Sequence, residues 1–261
     1  MSAKEKKLPP ERNIALRLAY LGTNYHGWQY QNNALSIQQV LQEALAKATG
    51  CQVVLSGVGR TDAGVHARAY VANGRMRTGI PLDKLPLAVG AYLPEDIAVS
   101  RATEVPEDFD ARFNCRSKEY TYLIHNSRTR NPFYHNRAYF CPAPLDFEAM
   151  VQAAPHFEGQ QDFAAVRSVG TPVRSTVRTM LYCRAERQGD LIAVRVRADG
   201  FLYNMARAIA GTLIYCGLGK ISPEEIPAVL ASRDRERAGP TAPACGLYMT
   251  GLDYGMEELD V

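Results

Sequence analysis

Apolar residues along this chain switch repeatedly between a spacing of two and a spacing of three to four. A polypeptide patterned that way must build sheets covered by helices. Residues 13–21, NIALRLAYL, alternate as a strand does, and Gly22 ends the run. From Ser36 the spacing changes: Ile37, Val40, Leu41, Ala44, Leu45 and Ala48 share one helical face, with Ser36 placed as N-cap and Gly50 just past the end. Strand-like runs at 52–58 and 66–77 flank the polar, glycine-containing segment RTDAGV, which reads as a loop between strand ends. A short helix is expected at 81–92, a strand at 96–104, and a strand at 116–125 in which KEYTYLI interleaves aromatic and polar residues. The stretch 126–137 is a connection rich in Arg, Asn and Pro. The second half repeats the theme, with a helix at 146–157, strands at 177–187 and 190–198, and a helix from Phe201 to Gly217 carrying Met205, Ile209, Leu213 and Ile214. A last helix follows Ser222-Pro223, and a strand at 246–253 completes the pattern. Hairpin-length pairs such as 177–198 exclude a purely parallel sheet, so the expected class is α+β, two halves of similar size with mixed or antiparallel sheets.

With 261 residues, 46% of them hydrophobic and 22% charged, the chain can bury a core without disulfides. The apolar stretch Ala208–Cys216 is far too short to span a bilayer, and MSAKEKKLPPERN runs into prolines and charge where a signal peptide needs an apolar segment. Six cysteines never form a Cys-x-x-Cys pair. A cytoplasmic, reduced protein is the expectation. Net charge is +3, but Asp253, Glu257, Glu258 and Asp260 lie beyond the last basic residue, so residues 1–252 carry 30 minus 23, or +7. Arginines number 23 against 7 lysines, and Arg is the side chain that forks onto phosphate and stacks on bases. Two windows, 112–137 and 167–207, each carry +5, a pattern that suits a nucleic-acid partner as well as a solvated strand face.

The run Gly57-Val-Gly-Arg-Thr-Asp-Ala-Gly-Val-His66 contains Gly-x-Gly after a strand, yet Asp62 occupies the place of the third glycine and would repel a pyrophosphate. Without a dinucleotide, what remains is an acid flanked by Arg60, Gly64 and His66. A nearby guanidinium favours the ionised form that a nucleophile or an oxocarbenium stabiliser needs. An Asp that merely closes a turn before Gly is the competing reading. His156-Phe157-Glu158 matches half of a nucleobase-deaminase zinc signature, but no Pro-Cys-x-x-Cys follows. No Gly-x-Ser-x-Gly elbow or Walker loop is present, and the five histidines lack metal-ligand spacing. No cofactor and no metal are expected.

GRTDAGVHA at 59–67 resembles the signature of the tRNA pseudouridine synthase A family. Other blocks agree in order: Tyr25-His-Gly-Trp-Gln29 before Ser-Ile-Gln-Gln, Asp110-Ala-Arg-Phe113, Lys118-Glu-Tyr-Thr-Tyr122, Gly200-Phe-Leu-Tyr-Asn-Met-Ala-Arg207 with Gly211, and Gly246-Leu-Tyr-Met. The resemblance covers almost all of 13–254. Ala206 stands where a branched aliphatic is expected, and Lys118 where some members carry Arg.

The resemblance implies an isomerase acting on tRNA, converting uridine to pseudouridine at positions 38, 39 or 40 of the anticodon stem-loop. It makes Asp62 the nucleophile, Arg60 its ion-pair partner, Tyr120 the residue that stacks on the target base, Arg207 a companion in the same cleft and Leu247 part of the base pocket. Arg112, Lys118 and His66 are the further residues expected to contact the RNA. It also implies a homodimer and two α/β subdomains with the catalytic cleft between them. Expected bounds are a flexible segment over 1–12, subdomains over 13–110 and 111–254, and an acidic tail over 255–261. An RNA-binding module without activity, or a nucleoside hydrolase using the same carboxylate, remain the alternatives.

Overall fold

A computed structural model describes residues 9–170 and 173–260. The chain divides into two compact units, one running through Cys115 and including the stretch from Tyr254 onward, the other Arg116–Asp253.

In the first unit, β1 (Glu11–Tyr20), the helix α1 (Ile37–Thr49), β2 (Ser56–Gly57), β3 (His66–Arg77), α2 (Leu85–Gly90) and β4 (Ile97–Glu104) follow in order. β1 lies in the middle, antiparallel to both β3 and β4. Its Ile14, Ala15 and Leu16 are fully buried. α1 follows its sequence signals: Ser36 Oγ accepts from Gln39 N at 3.3 Å, and Gly50 ends the helix at φ +71°. Ile37, Leu41, Ala44 and Leu45 face the core, each large aliphatic adding about 1.5–3 kcal/mol of burial.

The strand expected over 52–58 shrinks to the two residues of β2. Glutamines of α1 take over the backbone groups of Leu55: its N–H donates to Gln42 Oε1 at 3.0 Å, and Gln38 Nε2 donates to its carbonyl at 2.8 Å. Those groups therefore need no strand partner.

The second unit contains β5 (Ser117–Asn126), β6 (Tyr139–Cys141), α3 (Phe147–Ala153), β7 (Gly159–Asp162), β8 (Val177–Gln188), β9 (Leu191–Ala198), α4 (Met205–Gly217), α5 (Ile226–Ser232) and β10 (Leu247–Asp253). β5 pairs antiparallel with β10 and with β9, β8 follows β9, and β7 forms the edge. β6 joins the end of β5 in parallel, which makes the sheet mixed. α4 is buried almost all round, including Met205, Ile209, Leu213 and Cys216, as a helix sandwiched in a core should be. The molecule is α+β, with helices packed on mixed and antiparallel strands.

Two helices differ from the sequence pattern. α3 gives way at Ala154–Phe157 to a tighter 3-10 turn containing Pro155, whose ring removes a helix donor. α4 begins at Met205 rather than Phe201, because Asn204 adopts a left-handed backbone with φ +60°.

The unit boundary also differs from the expected division after 110. Ser56 Oγ donates to Asp110 Oδ2 at 2.9 Å, and Ala111 N donates to Asn73 Oδ1 at 2.8 Å, fastening 110–115 to the first unit. The acidic segment is not a free tail: Tyr254 Oη donates to the Ala111 carbonyl at 2.7 Å and Leu259 is buried. At the other end, Glu11 and Arg12 belong to β1, opposite Arg77 and Met76, so the flexible segment expected over 1–12 does not extend to them; residues 1–8 lie outside the described ones. No helix among the described residues is long and apolar enough to cross a membrane.

Candidate active site

Asp62 sits on the loop that joins β2 to β3, and that loop is held from several directions. Thr61 Oγ1 hydrogen-bonds Tyr20 Oη at 2.9 Å, Tyr70 Oη donates to the Gly59 carbonyl at 2.5 Å, and Trp28 N donates to the Thr61 carbonyl at 3.2 Å. Gly64 N donates to the Tyr25 carbonyl at 3.3 Å, and Val65 N to the Asp62 carbonyl at 3.1 Å. It is thus the Asp62 main chain that closes the turn, with Gly64 at φ +79° in its third position. Trp28 lies against Tyr70 with ring centroids 4.3 Å apart. Gly27 makes the close approach of Tyr25–Trp28 possible: at φ +80°, an added Cβ would fall 2.1 Å from the Thr61 carbonyl oxygen. The half-buried Asp62 side chain is carried by a backbone that has little room to move.

Two expectations fail around this loop. Arg60 is exposed, and the structure records no ion pair between it and Asp62. Nearness in sequence does not aim an exposed guanidinium at a side chain on a turning loop. His66, expected to touch RNA, is fully buried, and its Nδ1 accepts from Gly22 N at 2.9 Å. That acceptor role makes it a scaffold for the Gly22–Asn24 turn at the base of the loop. Arg112 is exposed, with its guanidinium 5.5 Å from the Phe113 ring centre, on a turn whose N–H groups of Arg112 and Phe113 both donate to Asp110 Oδ1.

The second unit brings Tyr120, Leu247 and Arg207 into one neighbourhood. Tyr120 on β5 stands opposite Met249 of β10 and Val196 of β9, and Leu247 stands opposite Tyr122, so Tyr120 and Leu247 are diagonal neighbours on one face of the sheet. The Tyr120 ring meets Phe201 edge-on at 4.8 Å and is 8% exposed. Lys118, two residues before Tyr120 on β5, is half-buried.

Arg207, in the first turn of α4, donates from Nε to the Ala242 carbonyl at 2.7 Å and from Nη1 to Asn204 Oδ1 at 2.8 Å. Burial pushes the Tyr122 phenol far up, Cys245 adds to it, and the Arg207 charge pulls partly the other way, which puts the guanidinium within electrostatic reach of that ring. The segment holding Ala242 can lie against α4 only because residue 211 is glycine: a Cβ there would meet the Pro240 carbonyl oxygen at 1.7 Å.

Sequence reasoning missed the residues that hold the machinery: Tyr20, Thr61 and Trp28 around Asp62, and Phe201, Asn204 and Ala242 around Tyr120 and Arg207. Most act through backbone atoms or at long sequence separation, which leaves no local pattern to read. Asn204 alone carried a signal, as a left-handed-tolerant residue within the run read as helix.

A family model described as tRNA pseudouridine synthase matches residues 18–114 and 153–255. The chain is 45% identical over 243 residues to a tRNA pseudouridine synthase A of Thermoanaerobacter sp. (strain X514), covering 93% of this chain and 100% of the relative. It is equally 45% identical over 243 residues to the enzyme of that name from Acetivibrio thermocellus, and 43% identical over 243 residues to that of Pelobacter propionicus, with the same coverage in each case. On a fold of this class with the signature loop fixed as described, these matches decide the assignment: the chain belongs to the tRNA pseudouridine synthase family.

Proposed function

We propose that this protein isomerises uridine to pseudouridine at one or more of positions 38, 39 and 40 in the anticodon stem-loop of tRNA. The observation that carries this reading is Asp62, one carboxylate on an immobilised loop within the family signature. The reaction breaks the bond from sugar carbon 1′ to ring nitrogen 1, turns the ring, and joins carbon 1′ to carbon 5. A proton leaves carbon 5 and nitrogen 1 gains one, so nothing is added or removed. Asp62 either attacks carbon 1′ or carbon 6 or assists a glycal intermediate. On the routes that build positive character at the sugar carbon, an adjacent carboxylate stabilises it, as in glycoside hydrolysis.

A paired uridine must first be extruded, at a cost of a few kcal/mol. Tyr120 stacks on the extruded base and returns about 1–3 kcal/mol of that cost, Leu247 lines the base pocket, and Arg207 supplies oriented donors beside the target nucleotide. The same reading includes phosphate contacts from Arg112 and Lys118, a homodimer and a cytoplasmic location. Shape-based contacts with the sugar-phosphate backbone suit an enzyme that accepts neighbouring positions.

The test is Asp62→Asn. With tRNA transcripts tritiated at uridine carbon 5, the wild-type protein releases tritium, while the variant binds tRNA with similar affinity and releases none. Wild-type protein that binds tRNA and leaves it unmodified makes the chain an RNA-binding module; free uracil in the products makes it a hydrolase.

A further inference from the structure

At the start of α4 the chain gives up two local stabilisations at a single residue. Asn204 is the N-cap of this helix, yet its side chain makes no capping hydrogen bond, although Asn is among the residues that cap best. Its backbone sits at φ +60°, the left-handed region, which costs a residue with a Cβ some energy even though Asn tolerates it better than most. Local departures of this kind persist where the surroundings over-determine them, and they concentrate at functional sites.

What the side chain does instead is specific. Asn204 Oδ1 accepts from Arg207 Nη1 at 2.8 Å, and Asn204 Nδ2 donates to Ser168 Oγ at 2.9 Å. A guanidinium can only donate, so the amide is oriented with its oxygen towards Arg207 and its nitrogen towards the serine. Arg207 is the third residue of the helix, the position whose backbone N–H an N-cap side chain commonly engages, and here the cap oxygen takes that residue's side chain. Ser168 N donates to the Tyr203 carbonyl at 3.0 Å, which ties the serine back to the residue before Asn204. With Arg207 Nε held by the Ala242 carbonyl, two edges of a long, flexible side chain are fixed from two separate segments.

We infer that Asn204 is a positioning residue for this enzyme, fixing the direction of the Arg207 guanidinium through Oδ1 while Ser168 fixes Asn204. The inference rests on the reading under which Arg207 serves the target nucleotide. It places the cause of the left-handed backbone in the reaction rather than in helix capping, and it separates two properties that substitution can pull apart. Glycine at 204 keeps the backbone conformation and removes the oxygen.

The experiment measures single-turnover tritium release from uridine-labelled tRNA by the wild type, Asn204→Gly, Arg207→Ala and the double variant, together with tRNA affinity and thermal unfolding. Loss of orientation lowers the rate of Asn204→Gly by about 10-fold to 100-fold, while the tRNA dissociation constant stays within about twofold, as expected when ground-state binding is untouched. The double variant is no slower than Arg207→Ala alone, because Asn204 acts only through that arginine. Ser168→Ala, which leaves the left-handed residue intact, gives a smaller loss that likewise vanishes in the Arg207→Ala background. It decides the matter if Asn204→Gly proves poorly folded. A wild-type rate for Asn204→Gly, or losses that multiply in the double variant, overturns the inference alone. Absence of tritium release by the wild-type protein overturns the isomerase reading and this inference with it.

Discussion

Asp62 depends on a neighbour that has no side chain. Gly27 is left-handed and packs against the Thr61 carbonyl, so alanine there meets both backbone strain and a Cβ only 2.1 Å from the oxygen of a carbonyl held by Trp28 N. Gly27→Ala should lower unfolding free energy by about 1–3 kcal/mol or more, read by urea denaturation, and should slow single-turnover tritium release because the Thr61–Asp62 peptide must shift. Gly50→Ala is the control: it has the same left-handed requirement at φ +71° but nothing within 4 Å of an added Cβ. It should cost about 1–2 kcal/mol of strain and leave the rate alone. Equal kinetic effects from the two would mean that the Gly27 contact does not position Asp62. The same residue-scale logic explains which site residues the sequence disclosed. Asp62 stands inside a contiguous motif that the sequence displays whole. Arg60 is its neighbour in sequence but lies exposed, and the His66 ring accepts from a backbone N–H 44 residues away.

Among the elements, β7 is secured to the C-terminal end of α5 by Asp162. Burial raises the pKa of its carboxyl, but hydrogen bonds from Thr176 and Ala164 N and the nearby Arg233 and Arg167 charges outweigh this and leave it lowered. Arg233 Nε lies 2.9 Å from Asp162 Oδ2 and is largely exposed. A lowered folded-state pKa contributes stability above the unfolded-state value, and that stability is lost as pH falls through the folded one. Asp162→Asn should therefore cost up to about 1 kcal/mol at pH 7, a size set by solvent screening of the pair. The gap between wild type and variant should close in acid below the ordinary aspartate range, near pH 4; a gap constant from pH 7 to pH 3 would assign the effect to packing. Element boundaries were legible where the determinants are local. The period-two alternation of β1, the β8–β9 hairpin turned by Gly189 at φ +56°, and the caps of α1 all lie within the segments they shape. They were illegible where a distant group intervenes: glutamines of α1 displaced the strand over 52–58, Asn204 delayed α4, and Tyr254 carried the last residues back to the first unit.

At the scale of the whole molecule, an arginine-rich composition is not the same as a phosphate-binding surface, because guanidinium groups differ in how far the fold has already committed them. The two basic windows carry equal formal charge but unequal availability. In the 167–207 window, Arg195 pairs with Glu186 at 3.3 Å, Arg197 donates to Ser117 Oγ, Arg187 to Asn126 Oδ1, and Arg207 to Asn204 and Ala242. In the 112–137 window, Arg128, Arg130 and Arg137 are exposed and make no ion pair, with Arg130 resting 5.7 Å from the Phe140 ring centre. Cations of the second kind can release counterions from RNA without first breaking an ion pair. Replacing Arg128 and Arg130 together by alanine should weaken tRNA binding at all salt concentrations. If each meets one phosphate, the slope of log K against log salt should shrink by about 1.4–1.8. Arg195→Gln, which removes a charge already neutralised by Glu186, should leave both affinity and slope near the wild-type values. Filter-binding titrations across a salt series separate the cases: an unchanged slope for the Arg128/Arg130 variant would place the RNA elsewhere, and a reduced slope for Arg195→Gln would show that tRNA draws that arginine away from its glutamate.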